Sequence, residues 1–529
     1  MPISLLAPLP VSDPHRGVRV FADYGDAPVR DRCDVLVIGS GPGGAVVAKE
    51  LAEAGLDVIV LEEGPPVGPQ DFVPEGGDAM QRLLREGGAR ASEGNLFTPT
   101  MQAIALGGGS IVNSAICARP PAWIYDKWTE RTGVTGLSAE VLGPHFDRVE
   151  NQLGVTATPD EVQGERNRRF KVGCDALGIH CEPIWRNVQG CLGSGECFTG
   201  CRNGAKRSVD RNYIPAAIRA GARVYTSVRA ETIATTTVRG ETVATGVRGR
   251  VVVPFTHDAR TTQTEGDVFI EAKAVVSAAG CMATPLILLR SGFCNRWIGG
   301  DLRFHPGVAV MGIFEEKIDP WAGATQGYHA LDYLQEGLKF EVLWSPPPVL
   351  ATRLPGVGHA FQRHLQQYQH MAPFDVICAA DNSSGIVKPR GKSWDPHIKY
   401  NFDAEDVAIM QKGLGILADI CWEAGAHSIL PGLHGVPEVI TSRDEAEIIR
   451  TYPMKANHTV SAANHAFCTT RMSRDPDRGA VDAWGRVHEA SNVFVADTGN
   501  FAASSGVNPM LLCMALSDRI ASGIAAQLS

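Results

Sequence analysis

Residues 35–38 (VLVI) are apolar at every position and run without a break into Gly39-Ser40-Gly41-Pro42-Gly43-Gly44. A run of this kind suits a strand buried on both faces of a parallel sheet. A helical pattern follows over 45–54 and stops at Gly55, with Ala45, Ala48 and Ala52 on one small-residue face. A second apolar run, 58–61, ends in Glu62. Strand, glycine turn, helix, strand and acid in that order constrain this stretch to a βαβ unit built for a dinucleotide. Gly39 permits the tight turn, Gly41 lets a pyrophosphate approach the backbone, and Gly44 lets the helix pack on the strand. The helix N-terminus offers free N–H groups to phosphate, and Glu62 is placed to hold a ribose hydroxyl. The motif alone leaves FAD and NAD both open.

Three later segments add to it. Residues 106–113 (LGGGSIVN) form a second glycine cluster, which alone reads as a loop. In residues 269–292, an apolar strand over 274–278 leads through Ala279-Gly280 into a helix with Pro285 in its first turn and Gly292 past its end. Residues 493–496 (VFVA) form a strand that stops at Asp497. A loop rich in Gly, Asn and Ser follows, and Asn508-Pro509 opens a helix reaching about residue 526. Asn is a preferred N-cap and Pro a preferred first helical residue.

Composition excludes several classes. Apolar residues make up 44% and charged residues 20%, as in an ordinary globular chain. The formal charge of -9 leaves no basic excess for a phosphate backbone, so no nucleic-acid partner is expected. Thirteen cysteines, an odd number spread over 529 residues, read as thiols of a reducing compartment rather than a disulfide framework. The string Cys191, Cys197, Cys201 lacks a fourth thiol in register, with Ser194 where a ferredoxin-like motif would continue, so no metal is expected. Residues 1–17 show no basic, apolar signal pattern. The uncharged stretches 274–289 and 498–517 are too short or too interrupted to span a bilayer. A cytoplasmic protein without a membrane span is expected.

Four segments in register resemble the glucose-methanol-choline (GMC) family of FAD-dependent oxidoreductases. They are the N-terminal fingerprint, LGGGSIVN, SAAGCMATPLILLRSG, and HAFCTTRM with VDAWGRVHEASNVFVADTGN and GVNP. Residues 106–113 are similar to the cholesterol oxidase branch. Residues 191–206 and Phe304-His305-Pro306 are similar to the long-chain alcohol oxidase/dehydrogenase branch. The resemblance implies an α/β fold in two parts. One is a Rossmann-like FAD-binding domain assembled from 31–120, 205–300 and 455–529. The other is a substrate domain with a large, mainly antiparallel sheet, from 121–204 and 301–454, and residues 1–30 form an extension. Carried over by position, the cofactor contacts are Gly39, Gly41, Gly44, Glu62, Gly108, Ser110, Asn113, Val228 (in a strand over 223–228), Asp497 and Asn508. Covalent members carry a His beside the Asn; here Val112 stands there, implying non-covalent FAD.

The resemblance also implies the chemistry. An alcohol gives a hydride to flavin N5 and a proton to a base, and His suits the proton because its reference pKa is about 6.5. His465 matches the family's catalytic His, with His458 as the nearby rival. Cys468 and Thr469 depart from the usual motif and put the local turn geometry in question. Asn508 matches the second active-site position, its competing role being a plain N-cap. The expected substrate is an apolar or bulky alcohol, with O2 or another carrier as electron acceptor. Trp321, Tyr328, Tyr333, Trp344 and Tyr368 are candidates for its wall. A lyase of the hydroxynitrile type on the same fold is the alternative, and flavin-binding without catalysis is a third reading.

Overall fold

The computed structural model of the chain describes residues 17–254, 266–344, 346–391 and 393–528. The stretch read for a leader, 1–17, lies almost wholly outside the described residues. The apolar runs found in the sequence become the centre of an eight-stranded sheet. Its order is Val18–Arg19, Arg223–Tyr225, Val58–Leu61, Val29–Ile38, Asp267–Ser277, Glu241–Val251 and Val228–Val238. Val493–Val495 also pairs with Asp267–Ser277, at residues 275–277. The pairings among the first five strands and the last are parallel, and those to Glu241–Val251 and Val228–Val238 antiparallel. Val35, Leu36, Val37, Val58, Ile59 and Val60 are wholly buried, as a strand covered on both faces requires. Each such side chain contributes about 1.5–3 kcal/mol over an exposed position.

The helix after the glycine turn runs Pro42–Glu53 and buries Ala45, Ala48 and Ala52 with Val46, Val47 and Leu51. It lies against the C-terminal helix, Met510–Leu528. That helix is long and apolar enough to cross a membrane by length and composition, but most of it is buried inside the protein. Its Leu511, Leu512, Met514 and Ala515 are wholly buried in the same core as the parallel strands.

Expected boundaries shift at three places. Residues 18–19 and 29–30 of the expected extension join the sheet, the latter as the start of the strand Val29–Ile38. The helices Trp123–Thr132 and Ala139–Leu153, expected in the substrate domain, pack into the first core through Trp128, Leu142, Phe146 and Val149. The strand expected over 223–228 breaks at Ser227, whose φ is 57°. There the chain leaves the parallel sheet, and the Val228 N–H donates to the Glu62 carbonyl at 2.8 Å as the antiparallel hairpin begins.

A second core surrounds a six-stranded sheet, wholly antiparallel. Its order is Ser428–Leu430, Gly307–Ile313, Met371–Cys378, Leu338–Val342, Tyr328–Ala330 and Cys181–Pro183. The helices Ala404–Glu423 and Gly164–Ala176 cover one face. The other face looks toward the glycine turn across the cavity described next.

Candidate active site

A cavity of about 410 Å³ lies between the two sheets. Gly39, Gly41, Glu62, Gly108, Asn113, Val228, Asp497, Asn508 and His465 all line it. Loops separated by hundreds of residues therefore converge on one cavity. Gly44 and Ser110 are not part of the lining; both act behind it.

The glycines divide by what surrounds them. A Cβ on Gly39, which has φ +95°, would stand 2.4 Å from the Ala278 carbonyl oxygen. A Cβ on Gly44 would stand 2.0 Å from the Gly39 oxygen, and one on Gly43 1.9 Å from the Ala496 oxygen. These three hold the turn against neighbouring strand ends. Gly41 differs: the nearest protein atom to its Cβ position would be the Gly108 Cα, at 3.9 Å. Gly109 has no atom within 4 Å. The two glycine segments thus leave open, backbone-lined space at a helix N-terminus, which fits a pyrophosphate.

Polar side chains fix this cradle. Glu62 Oε2 accepts from the Ser40 N–H at 3.0 Å and the Ser40 hydroxyl at 2.6 Å, and Oε1 from the Gly64 N–H at 2.7 Å. Burial raises the Glu62 pKa above its usual value despite these donors. Ser40 Oγ also accepts from the Gly107 N–H at 2.9 Å, tying the first glycine turn to the second. Ser110 Oγ donates to the Gly107 carbonyl at 2.7 Å and accepts from the Val209 N–H at 3.1 Å. Asn113 Oδ1 accepts from the Ala115 N–H at 3.0 Å, and its Nδ2 lies 3.0 Å from Met510 Sδ. Asp497 accepts from the Gly280 N–H at 3.0 Å, the Thr284 hydroxyl at 2.6 Å and the Gly499 N–H at 2.8 Å. Burial pushes its carboxyl up to about 6.

The cysteine string belongs to this wall. Lys206, buried, donates to the carbonyls of Ile111 at 2.5 Å, Asn113 at 3.1 Å and Cys197 at 2.6 Å. It thereby pins the string to the 106–113 loop, and Phe198 and Thr199 face the cavity. All thirteen cysteines are free. Cys181 lies apart from the string, in the antiparallel sheet. Among the described residues no three His, Cys, Asp or Glu side chains are grouped to hold a metal.

His465 is set by a two-residue ladder in which Arg303–Phe304 pairs with Ala466–Phe467. The ladder brings His305 beside it: the two Nδ1 atoms are 3.3 Å apart, and His305 Nε2 lies 2.6 Å from Ser504 Oγ. The His465 ring opens partly onto the cavity, yet the surrounding protein excludes bulk water and pushes its pKa down to about 3, with the Lys339 charge adding to the effect. Burial holds His305 well below the ordinary range too. His458 lies off the cavity, packed on Tyr452 at 5.5 Å. Cys468, where the usual motif carries Gly, adopts φ +68°, so the turn keeps left-handed geometry at a strained non-glycine residue.

Asn508 departs from the expected cap. The helix begins at Met510, and the Cys513 N–H bonds the Pro509 carbonyl at 2.9 Å. Asn508 Oδ1 is buried and has no hydrogen-bond partner among the described residues. The aromatic wall is corrected as well, since only Trp344 of the five candidates lines the cavity. Trp321 and Tyr368 stack on each other at 4.9 Å, Tyr328 donates to Asp160 at 2.9 Å, and Tyr333 packs edge-on to Phe340.

Residues 80–307 and 381–517 match the two GMC oxidoreductase family regions, and residues 34–107 match the FAD binding domain family. A GMC-type oxidoreductase of Mycobacterium tuberculosis is 32% identical over 94% of this chain and 76% of its own length. The chain belongs to the GMC oxidoreductase family. As a GMC oxidoreductase it is a flavin-dependent enzyme that binds FAD and acts on a substrate bearing a CH–OH group. The long-chain-alcohol oxidase FAO3 of Arabidopsis thaliana is 28% identical over 97% of this chain and 71% of the relative. A formate oxidase variant of Aspergillus oryzae shares the GMC fold at a TM-score of 0.71 and 15% identity, covering 95% of this chain and 99% of that one.

Proposed function

We propose that the protein oxidises an alcohol, with His465 accepting the hydroxyl proton and Asn508 holding the alcohol oxygen, on FAD bound without a covalent link. The reading is carried by one observation: His465 and the unpartnered Asn508 Oδ1 meet on the cavity into which the glycine cradle opens. When bound, FAD supplies the hydride acceptor, its N5. The alcohol's single hydrogen goes to His465, so the Asn508 side-chain amide, which no described residue engages through Oδ1, holds the alcohol oxygen by donating its N–H. The N-terminus of the Met510–Leu528 helix, whose Met510 and Cys513 line the cavity, favours negative charge there. Val112, beside Asn113, lines the cavity and has no nitrogen or sulfur to bond a flavin.

A base at His465 Nε2 requires one of the two tautomer sets open to the pair. Ser504 Oγ accepts from the Gly506 N–H at 3.1 Å and lies 2.6 Å from His305 Nε2. When His305 Nε2–H donates to Ser504 Oγ, His305 Nδ1 accepts from His465 Nδ1–H. His465 Nε2 then keeps its lone pair free, as a general base needs. His305 acts as a positioning residue for it.

His465→Ala should stay yellow, because the cradle residues are elsewhere. Its anaerobic flavin reduction by alcohol should fall on the order of 10²-fold or more, roughly 3 kcal/mol of barrier. Near wild-type reduction in His465→Ala, with loss in His458→Ala, would overturn the assignment.

A further inference from the structure

The sheet that faces the cavity carries an anomaly. Strand alternation sends Ala372, Phe374, Val376 and Cys378, Leu338, Phe340 and Val342, and Tyr328 and Ala330 into the second core. The intervening residues face the other way, and they include Asp375, Lys339, Glu341 and His329. Register places Ala309, Asp375, Glu341 and His329 in one row across four strands. All four ionisable groups are at most 6% exposed. Burying such groups is costly, and two carboxylates directly opposite each other repel. An apolar row would make a better sheet, so the explanation lies in what the row faces.

It faces the reacting region. Asp375, Glu341, Gln326 and Arg353 line the same cavity as His305 and His465. A Cβ on Gly307 would stand 3.3 Å from Asp375 Oδ2, and the Gly307 N–H bonds the Ala462 carbonyl at 3.0 Å, three residues before His465. Glu341 is already satisfied, by Lys339 Nζ and by Gln326 Nε2 at 2.5 Å. Asp375 is not: its Oδ1 is buried with no hydrogen-bond partner among the described residues. Burial pushes this carboxyl up to about 7 although the Arg353 charge opposes the shift. Arg353 forms no ion pair with it among the described residues, and donates only a long 3.5 Å bond to the Val460 carbonyl. The wall therefore offers an unused acceptor and an underused donor side by side.

We infer that the substrate is a diol or polyol whose second hydroxyl is bound by Asp375 and Arg353 while the reacting carbinol sits at His465 and Asn508. A hydroxyl both donates and accepts, which matches a wall holding one of each; an ammonium only donates, and an alkyl chain or sterol ring leaves both unpaired. This reading differs from the expectation of an apolar or bulky alcohol, and the test below sets the two against each other. The inference rests on the alcohol-oxidation reading of the same cavity.

The test compares anaerobic flavin reduction of the holoenzyme by 1,4-butanediol, 1,6-hexanediol and sorbitol with that by 1-butanol, 1-hexanol, 6-amino-1-hexanol and cholesterol. The hydroxylated compounds should exceed their monofunctional counterparts by at least about tenfold in kcat/KM, as expected where a site is built to bond a substrate OH. In Asp375→Leu that ratio should fall by about tenfold or more, with the isosteric Asp375→Asn intermediate. Bound FAD absorbance and Tm of each variant show that the fold is retained; if Asp375→Leu does not fold, the Asp375→Asn ratio decides. A wild-type preference for 1-hexanol or cholesterol, an equal loss for both classes in the variants, or a preference for the amino alcohol would overturn the inference while leaving alcohol oxidation standing. Failure of every alcohol to bleach the flavin would overturn both readings.

Discussion

At the scale of single residues the decisive feature is the pair His305 and His465, Nδ1 to Nδ1 at 3.3 Å. Both are held neutral in the folded protein, His465 with a pKa near 3. In the unfolded chain a His protonates at about 6.5. Below that pH the unfolded chain takes up the proton first. The stability linked to this group is therefore complete above pH 6.5 and is lost as pH falls from there toward 3. Asp375 and Asp497, raised to about 7 and 6, act in the opposite sense, so the readout is a difference between proteins. Between pH 7 and pH 5, wild type should lose up to about 2 kcal/mol more unfolding free energy than His465→Gln, water in the cavity reducing the figure. Parallel urea-unfolding losses in the two proteins would show that His465 is not held neutral. The sequence pointed to His465 only through family register, and it gave His305 no role. The two lie 160 residues apart, and no local period links them. Ser40 and Lys206 were missed for the same reason: each acts on a loop distant in sequence.

At the scale of elements, what could be read was what repeats along the chain. The strands Val29–Ile38 and Val58–Leu61 and the helix Pro42–Glu53 follow from uninterrupted apolar runs and a small-residue face. The packing partner of the helices Trp123–Thr132 and Ala139–Leu153 did not follow, because periodicity names a buried face and not what covers it. The glycine turn gives the sharpest test at this level. Gly41 has φ -63°, ordinary for any residue, and open space at its Cβ position. Gly41→Val should therefore fold with wild-type circular dichroism and purify without yellow colour, because its branches occupy the pyrophosphate's place. Gly43→Val should fail earlier, since its Cβ would drive into the Ala496 carbonyl. A yellow Gly41→Val would remove the turn from the cofactor site.

At the scale of the whole molecule, two cores meet across one cavity, and FAD is the ligand that both can touch. The parallel-sheet core supplies the glycine cradle, Glu62 and Asp497; the antiparallel sheet supplies Gly307, Glu341 and Asp375. A ligand that binds only the folded state stabilises it by mass action, about 2.7 kcal/mol at a free concentration 100 times its Kd. Protein stripped of FAD by mild acid and salt should unfold at a lower Tm than holoenzyme. Its Tm should climb with added FAD and respond little to equal NAD, because residues 34–107 match the FAD binding domain family and the chain is a GMC oxidoreductase. The same titration on Gly41→Val should be flat, which separates cradle binding from nonspecific stabilisation. Because the cavity joins the cores, both should respond together: intrinsic fluorescence from Trp128 in the first core and Trp344 on the cavity wall should report one transition in the holoenzyme. If NAD raises the Tm as strongly as FAD, or if FAD leaves it unchanged, the βαβ unit does not bind its cofactor in the way that this cavity demands.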